Sequence, residues 1–342
     1  MTPAKSDSSA ATPTNKPIFV VGSPRSGTSI LTWCLGRHPN MLALPESSWM
    51  GDLAIDLAIC YQIGTARGNL SVLSAMDVPR EEFFASFGES INHLILSHRK
   101  DLYRKRAGPS RAGTSNVPSA FKRTDLKYEA KARWVDGTPE YSFYIYGLCK
   151  LFPKALFIHI VRDVTPVVRS MLNFYRVTGI HLVANEEEAY NYWLRTVSSC
   201  LLAERAYGPR VVLRLRYSDF VDRPESTMRS LLDFLGEPYT AECLTPLEKR
   251  INSSNVPADF KIGDPETNPN LVEQAMRLST EVEKEPQPPE ASPTAFDEME
   301  AAFNERVRYV ATLNKEYQKA QQIITTLRKE NAGPTTYVQK LI

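Results

Sequence analysis

The segment Ile18-Phe19-Val20-Val21-Gly22-Ser23-Pro24-Arg25-Ser26-Gly27-Thr28-Ser29 constrains this chain more than any other. An apolar run enters a turn framed by two glycines, and small hydroxylic residues follow where a helix would begin. That order predicts strand, loop, helix. Such a turn converges backbone N–H groups on an anion, and the first helical turn adds unpaired donors and the positive end of its dipole. Gly22 and Gly27 allow the close backbone approach this needs. The spacing matches the triphosphate-binding pattern G-x-x-x-x-G-K-[ST], but Thr28 stands where the lysine belongs and a cation, Arg25, sits inside the loop. The segment predicts a cradle for a phosphate-bearing donor without the usual triphosphate chemistry. A tight strand-to-helix turn with a surface arginine is the plainer alternative.

A chain of 342 residues, 42% apolar and 23% charged, can bury one large core or two modest ones. Its net charge of +2 gives no global argument for nucleic acid or an anionic membrane as partner, neither of which is expected, so any electropositive site must be local. Five scattered cysteines with no C-x-x-C pair indicate neither a disulfide framework nor a zinc site, and reduced thiols suit the cytoplasm. Residues 1–16 are polar and read as disordered; no run approaches the roughly 18 apolar residues of a membrane span. The expectation is a cytoplasmic protein without a membrane span.

Along the chain, strands alternate with helices. Ala155 to Val161 is a near-continuous apolar run, as in a buried parallel strand, and a helix from about Pro166 to Tyr175 follows. Arg133 to Val135 reads as extended, with Thr138 as N-cap and Pro139 at the first position of a helix reaching Leu151. A long helix over about 186–207 leads to a strand at 211–216. This pattern predicts an α/β fold, a P-loop-type parallel sheet flanked by helices, with its ligand at the carboxyl ends of the strands. That places the 22–29 turn and Arg162 on one rim. Residues 104–124 carry six Lys/Arg among Gly, Pro and Ser and form a polar loop, solvated or touching an anionic substrate. Residues 279–294 are Pro/Glu-rich and read as a linker. Beyond it, Phe296, Phe303, Val310, Tyr317 and Ile324 recur every seven residues, with Met299, Leu313, Ala320 and Leu327 at the d positions and Arg306 breaking that series. Residues 295–331 therefore form an amphipathic, coiled-coil-like helix, which either joins copies into a homo-oligomer or folds back on its own domain.

Three features carry the chemistry: the loop with Arg25; Leu35-Gly36-Arg37-His38-Pro39 followed by Glu46; and the strand end at Arg162-Asp163 with Ser170 on the next helix. Together they resemble the sulfotransferases that use 3′-phosphoadenosine 5′-phosphosulfate, above all the tyrosylprotein and Golgi-carbohydrate branch with its bacterial relatives. Pro24 to Ser29 matches the family's P-[KR]-S-G-T-[TS], which implies that Arg25, Ser26, Gly27, Thr28 and Ser29 hold the 5′-phosphosulfate. Arg162 and Ser170 match its 3′-phosphate motif. Leu35, His38, Pro39 and Glu46 match the L-x-x-HP layout in which the glutamate is the general base, and Trp134 to Tyr141 matches W-x-[DE]-x-TP-x-Y. The resemblance covers residues 17–250, so 17–278 reads as the catalytic domain.

Physical chemistry agrees with those implied roles. Arg25 and the loop amides suit charge building on the oxygen that leaves with the phosphate. An acceptor hydroxyl has a high pKa, so a carboxylate such as Glu46 is wanted to take its proton. The Arg162 guanidinium with the Ser170 hydroxyl suits a 3′-phosphate. A sulfuryl group carries less charge than a γ-phosphoryl group, so no metal is expected. Plainer readings stand beside these: Glu46 capping the following helix, Arg162 and Asp163 forming an ion pair, His38 closing a helix, and His159 as a core histidine.

The chain also departs from the family. Ile30 replaces an adenine-stacking tryptophan, leaving Trp33 and Tyr217 as candidates to face the base. Gly137 replaces a lysine of the E-K-T-P version, and the late donor-binding serine and lysine have only Ser253, Ser254 and Lys261 near their places. A hydroxyl-bearing acceptor is implied: carbohydrate, glycolipid, phenolic metabolite or peptide tyrosine. The competing functions are a P-loop small-molecule kinase and a nucleotide-binding scaffold without catalysis.

Overall fold

The computed structural model describes residues 16–102, 131–248, 256–257 and 259–338. Residues 1–15, most of the basic 104–124 segment's context, Ser253 and Ser254 lie outside the described residues, the 104–124 segment entirely so. Five strands, β1 (Ile18–Val21), β2 (Met41–Ala43), β3 (Arg133–Asp136), β4 (Leu156–Val161) and β5 (Val212–Arg216), form one sheet in the order β2-β3-β1-β4-β5. Every neighbouring pair is parallel. The chain winds one way from β1 to β2 and β3, then crosses to β4 on the other side. Its direction therefore reverses around β1, and a crevice opens at the carboxyl ends of β1, β3 and β4.

The main helices are α1 (Thr28–Leu35), α2 (Trp49–Thr65), α3 (Arg80–Ser97), α4 (Ile145–Leu151), α5 (Val164–Leu172), α6 (Glu186–Tyr207), α7 (Pro224–Leu235), α8 (Pro269–Lys284) and α9 (Pro293–Val338). The period of two along β1 divides its side chains between two cores. Ile18 and Val20 pack with Leu31 and Leu35 of α1 and Leu232 of α7, whereas Phe19 and Val21 pack with Trp134, Phe157 and the opposite helices. Both faces are covered, which is why all four residues of β1 are completely buried.

His159 of β4 is the core histidine the sequence suggests. Its Nδ1 lies 2.6 Å from Glu204 of α6, whose other oxygen accepts from Arg214 of β5. Burial works against the imidazolium, but Cys200 and Glu204 outweigh it and hold the pKa up at about 10. His38 is likewise structural: its ring faces the Pro238 carbonyl at 3.0 Å and accepts from the Asn40 amide.

Three expectations need correction. The segment after Thr138 is not one helix: a 3-10 turn over Pro139–Phe143 precedes α4. The expected linker at 279–294 is largely not one, because α8 runs to Lys284 and Gln287 is fixed to β5, accepting from the Arg214 amide and donating to the Val212 carbonyl. The heptad stripe divides. Ala295, Met299, Phe303 and Val307 of α9 are buried against the body, a spacing of about one helical turn rather than a strict heptad, whereas Leu313 (48%), Tyr317 (65%) and Leu327 (50%) are exposed. Arg306, the break in the d series, lies over the Tyr144 ring at 4.1 Å. The first half of α9 is thus core and belongs with the body built on the sheet.

Candidate active site

The loop between β1 and α1 is shaped by two glycines with positive φ. Gly22 (φ 146) lies so close to β4 that a Cβ would sit 2.3 Å from the Ile160 carbonyl oxygen. At Gly27 (φ 108) a Cβ would meet the Tyr217 ring at 2.7 Å. Arg25 is itself left-handed (φ 71), a conformation non-glycine residues hold only where their surroundings impose it. The Gly22 amide donates to Ser142 Oγ at 2.9 Å and the Ser26 amide to the Ser23 carbonyl, so the loop is tied from within and from behind. The amides of Thr28 and Ser29 open α1, where no earlier turn supplies acceptors.

Arg25 donates from Nε to Ser170 Oγ at 3.0 Å and lies over the Phe174 ring at 5.0 Å. Arg162, closing β4, donates to the Arg25 carbonyl at 3.2 Å and lies over the Tyr217 ring at 4.4 Å. Two guanidiniums, Ser170 and Tyr217 therefore converge on the cradle. Burial lowers the pKa of Arg25, Glu46 opposes that, and the Arg162 charge adds to it. Like charges held this close in a half-buried place are relieved by an anion. Ser26 is buried and its Oγ has no partner among the described residues. These groups, a Cβ-free cradle and an orphaned hydroxyl fit a phosphate or phosphosulfate.

Glu46 accepts from Ser29 Oγ at 2.6 Å. Burial raises its pKa, the Ser29 hydrogen bond opposes this, Glu140 adds to it and Arg25 opposes it. The capping alternative is set aside: α2 starts at Trp49 with Ser48 as its N-cap, and Glu46 points to Ser29 instead. The ion-pair reading of Arg162 also fails, because Asp163 accepts from the Thr165 amide at the start of α5 and from Ser279.

Other expectations are placed differently. One face of the Tyr217 ring is covered by Arg162. Trp33 is half-buried on α1, and Lys261 is exposed on a loop anchored to Glu186 and Arg169. Sequence reasoning missed Ser142 behind Gly22 and Phe174 beneath Arg25. The Tyr192–Glu140 hydrogen bond at 3.1 Å, close to Glu46, was also missed. None of the three is a fixed motif position, Glu140 filling the variable place between Pro139 and Tyr141; only the fold brings them to the rim.

Residues 17–241 match the family described as the sulfotransferase family. The chain belongs to it. Among curated members, protein-tyrosine sulfotransferase 1 of Danio rerio is 23% identical over 223 residues, 65% of this chain and 53% of that protein. The chain thus spans about half the length of that relative. An omega-hydroxy-beta-dihydromenaquinone-9 sulfotransferase of Mycobacterium bovis is 24% identical over 275 residues, 72% of this chain and 68% of its own. The sulfotransferase domain of the Synechococcus PCC 7002 olefin synthase superposes with a TM-score of 0.41 at 20% identity, covering 85% of this chain and 94% of that one. This sulfotransferase-family chain holds its motif residues on the rim where the sheet reverses, which is where a parallel sheet offers a binding crevice.

Proposed function

We propose that the chain transfers a sulfuryl group from 3′-phosphoadenosine 5′-phosphosulfate to an acceptor hydroxyl on a carbohydrate, glycolipid, phenolic metabolite or peptide tyrosine, without a metal. The observation that carries this reading is the convergence of Arg25 and Arg162 on a Gly-framed loop that has no lysine.

The donor, when bound, supplies an activated sulfuryl group on a phosphate leaving group. Arg25, the amides at the start of α1 and Ser26 Oγ are the groups to hold its 5′ end; Arg162, Ser170 and Tyr217 are those for the 3′-phosphate side. Arg25 stabilises the negative charge that develops on the bridging oxygen. Glu46 accepts the proton of the attacking hydroxyl, and its raised pKa brings its basicity closer to what such a transfer needs. Five free thiols suit a reducing, cytoplasmic setting. The exposed half of α9 is the proposed route to a homo-oligomer, and residues 17 to about 310 form the catalytic unit.

The test is ligand stabilisation. 3′-Phosphoadenosine 5′-phosphate should raise the melting temperature, and adenosine 5′-phosphate, which lacks the 3′-phosphate, should do so far less, because it leaves Arg162 without its anion. Equal shifts would remove the basis for the donor. Mass spectrometry for a sulfated product across an acceptor panel then names the acceptor, and a chelator should leave that rate unchanged.

A further inference from the structure

Behind Glu46 runs a series of polar contacts that neither the cradle nor the base accounts for. Asp136, at the end of β3, is fully buried, and its Oδ1 accepts twice from Thr138, from the amide at 3.0 Å and from the hydroxyl at 2.6 Å. With its proton directed at Asp136, the Thr138 hydroxyl presents lone pairs on its other side, and the Ser47 amide donates to it at 2.7 Å. Ser47 directly follows Glu46. Gly137, between Asp136 and Thr138, packs so tightly against α1 that a Cβ would sit 2.0 Å from Thr32 Oγ1. The turn is therefore packed closely against α1, and a lysine at this position would have to displace the Thr32 hydroxyl.

Resting on the assignment of Glu46 as the base, we infer that Asp136 and Thr138 are positioning residues for it. Asp136 orients the Thr138 hydroxyl, the hydroxyl fixes the Ser47 peptide, and that peptide sets where the Glu46 side chain starts. Ser29 fixes the same side chain at Oε1. The carboxylate is held at both ends, its backbone referred to the sheet through β3 and its tip to the cradle through α1. A base must sit within hydrogen-bond reach of the proton it removes, and a displacement of about 1 Å costs on the order of 100-fold in rate.

Thr138→Val keeps the side-chain volume and removes the hydroxyl's contacts with Asp136 and with the Ser47 amide and carbonyl. It should lower turnover by roughly 10- to 100-fold, measured with the most active acceptor of the panel and as sulfate release to water. The melting shift with 3′-phosphoadenosine 5′-phosphate should stay as in the parent. Hydrogen exchange over Leu44–Met50 in the nucleotide-free protein should quicken, a readout that needs no turnover. Thr138→Ser, which keeps the hydroxyl, should restore rate and protection. Asp136→Asn should add nothing in the Thr138→Val background, because the aspartate acts through the threonine. Parent-like turnover or exchange in Thr138→Val overturns the inference, as does an equal Asp136→Asn loss in both backgrounds. Should Thr138→Val not fold, Asp136→Asn alone decides: slowed turnover with nucleotide binding intact supports the inference and an unchanged rate refutes it. Glu46→Gln separates the two ideas. A parent rate in that variant sinks the base assignment, while a large loss there beside a normal Thr138→Val sinks only the positioning.

Discussion

Ser29 donates its hydroxyl hydrogen to Glu46 Oε1 across 2.6 Å, so the helix that begins at the phosphate cradle also holds the carboxylate that serves the acceptor. Donor and acceptor sides of the reaction are thereby registered to one another by the first turn of α1.

Glu46→Gln should preserve the shape of the site, leave affinity for 3′-phosphoadenosine 5′-phosphate nearly unchanged and slow turnover by on the order of 100-fold or more. Glu46 is exposed as a residue, yet its carboxyl is partly desolvated beside the cradle, which raises its pKa, so the acid limb of kcat/KM should lie above where a free glutamate would put it. Ser29→Ala removes the hydrogen bond that opposes the rise, so the acid limb should move to still higher pH. An acid limb that stays in place would separate Ser29 from the base.

Arg25 and Arg162 should differ in kind. Arg25→Ala should impair both nucleotide binding and turnover, since that cation faces charged oxygens in the ground and transition states. Arg162→Ala should weaken 3′-phosphoadenosine 5′-phosphate chiefly and erase its advantage over adenosine 5′-phosphate. Calorimetric titration of both variants with both nucleotides distinguishes these outcomes; a retained preference in Arg162→Ala would move the 3′-phosphate elsewhere.

Glu204 is the shared counter-ion of His159 and Arg214 in the core. Removing it leaves buried cations without their partner, so Glu204→Gln should cost about 3–5 kcal/mol in urea unfolding. The raised pKa of His159 also carries a sign. Its folded value exceeds the unfolded one, so the stabilisation is complete below about pH 6.5 and is lost as pH rises toward about 10. His159→Gln should flatten that part of the stability profile.

Phe303 packs among Tyr146 and its neighbours, with ring centroids 5.2 Å apart. Phe303→Ala should cost roughly 3–5 kcal/mol, and a chain ending near Thr280 should fail to fold stably. A chain ending at Lys315 should keep the melting temperature and nucleotide binding of the parent. Light scattering of the full and Lys315-terminated chains checks the oligomer: a monomer in both cases would leave the exposed stripe without that use.

Much of the architecture was legible because its signals are local. Gly22 and Gly27 mark the loop, Ala155 to Val161 marks a strand covered on both faces, and Arg162 and Ser170 lie just beyond that strand and on the helix after it, where both reach Arg25. The fate of α9 was not legible. A seven-residue apolar repeat fits a partner helix or the protein's own body equally well, and only the surface offered by α2, α4 and α6 decides it. Ser142, Phe174 and the Asp136–Thr138–Ser47 contacts depend on residues far apart in the chain, joined by β3 lying beside β1 and β2 and by β4 lying beside β1. The Pro/Glu-rich stretch looked unstructured by composition, yet Gln287 found the open side of β5.

That glutamine has a consequence for how copies of the chain behave in a crowded solution. The outer margin of a parallel sheet is a ready template for another strand. Here a primary amide, one carbonyl and one NH2 group, satisfies a donor and an acceptor of the β5 backbone as the next peptide unit would. The side chain thus caps part of that margin, and Gln287→Ala should leave the Arg214 N–H and the Val212 carbonyl unpaired and raise the tendency to self-associate, which light scattering against the parent would read.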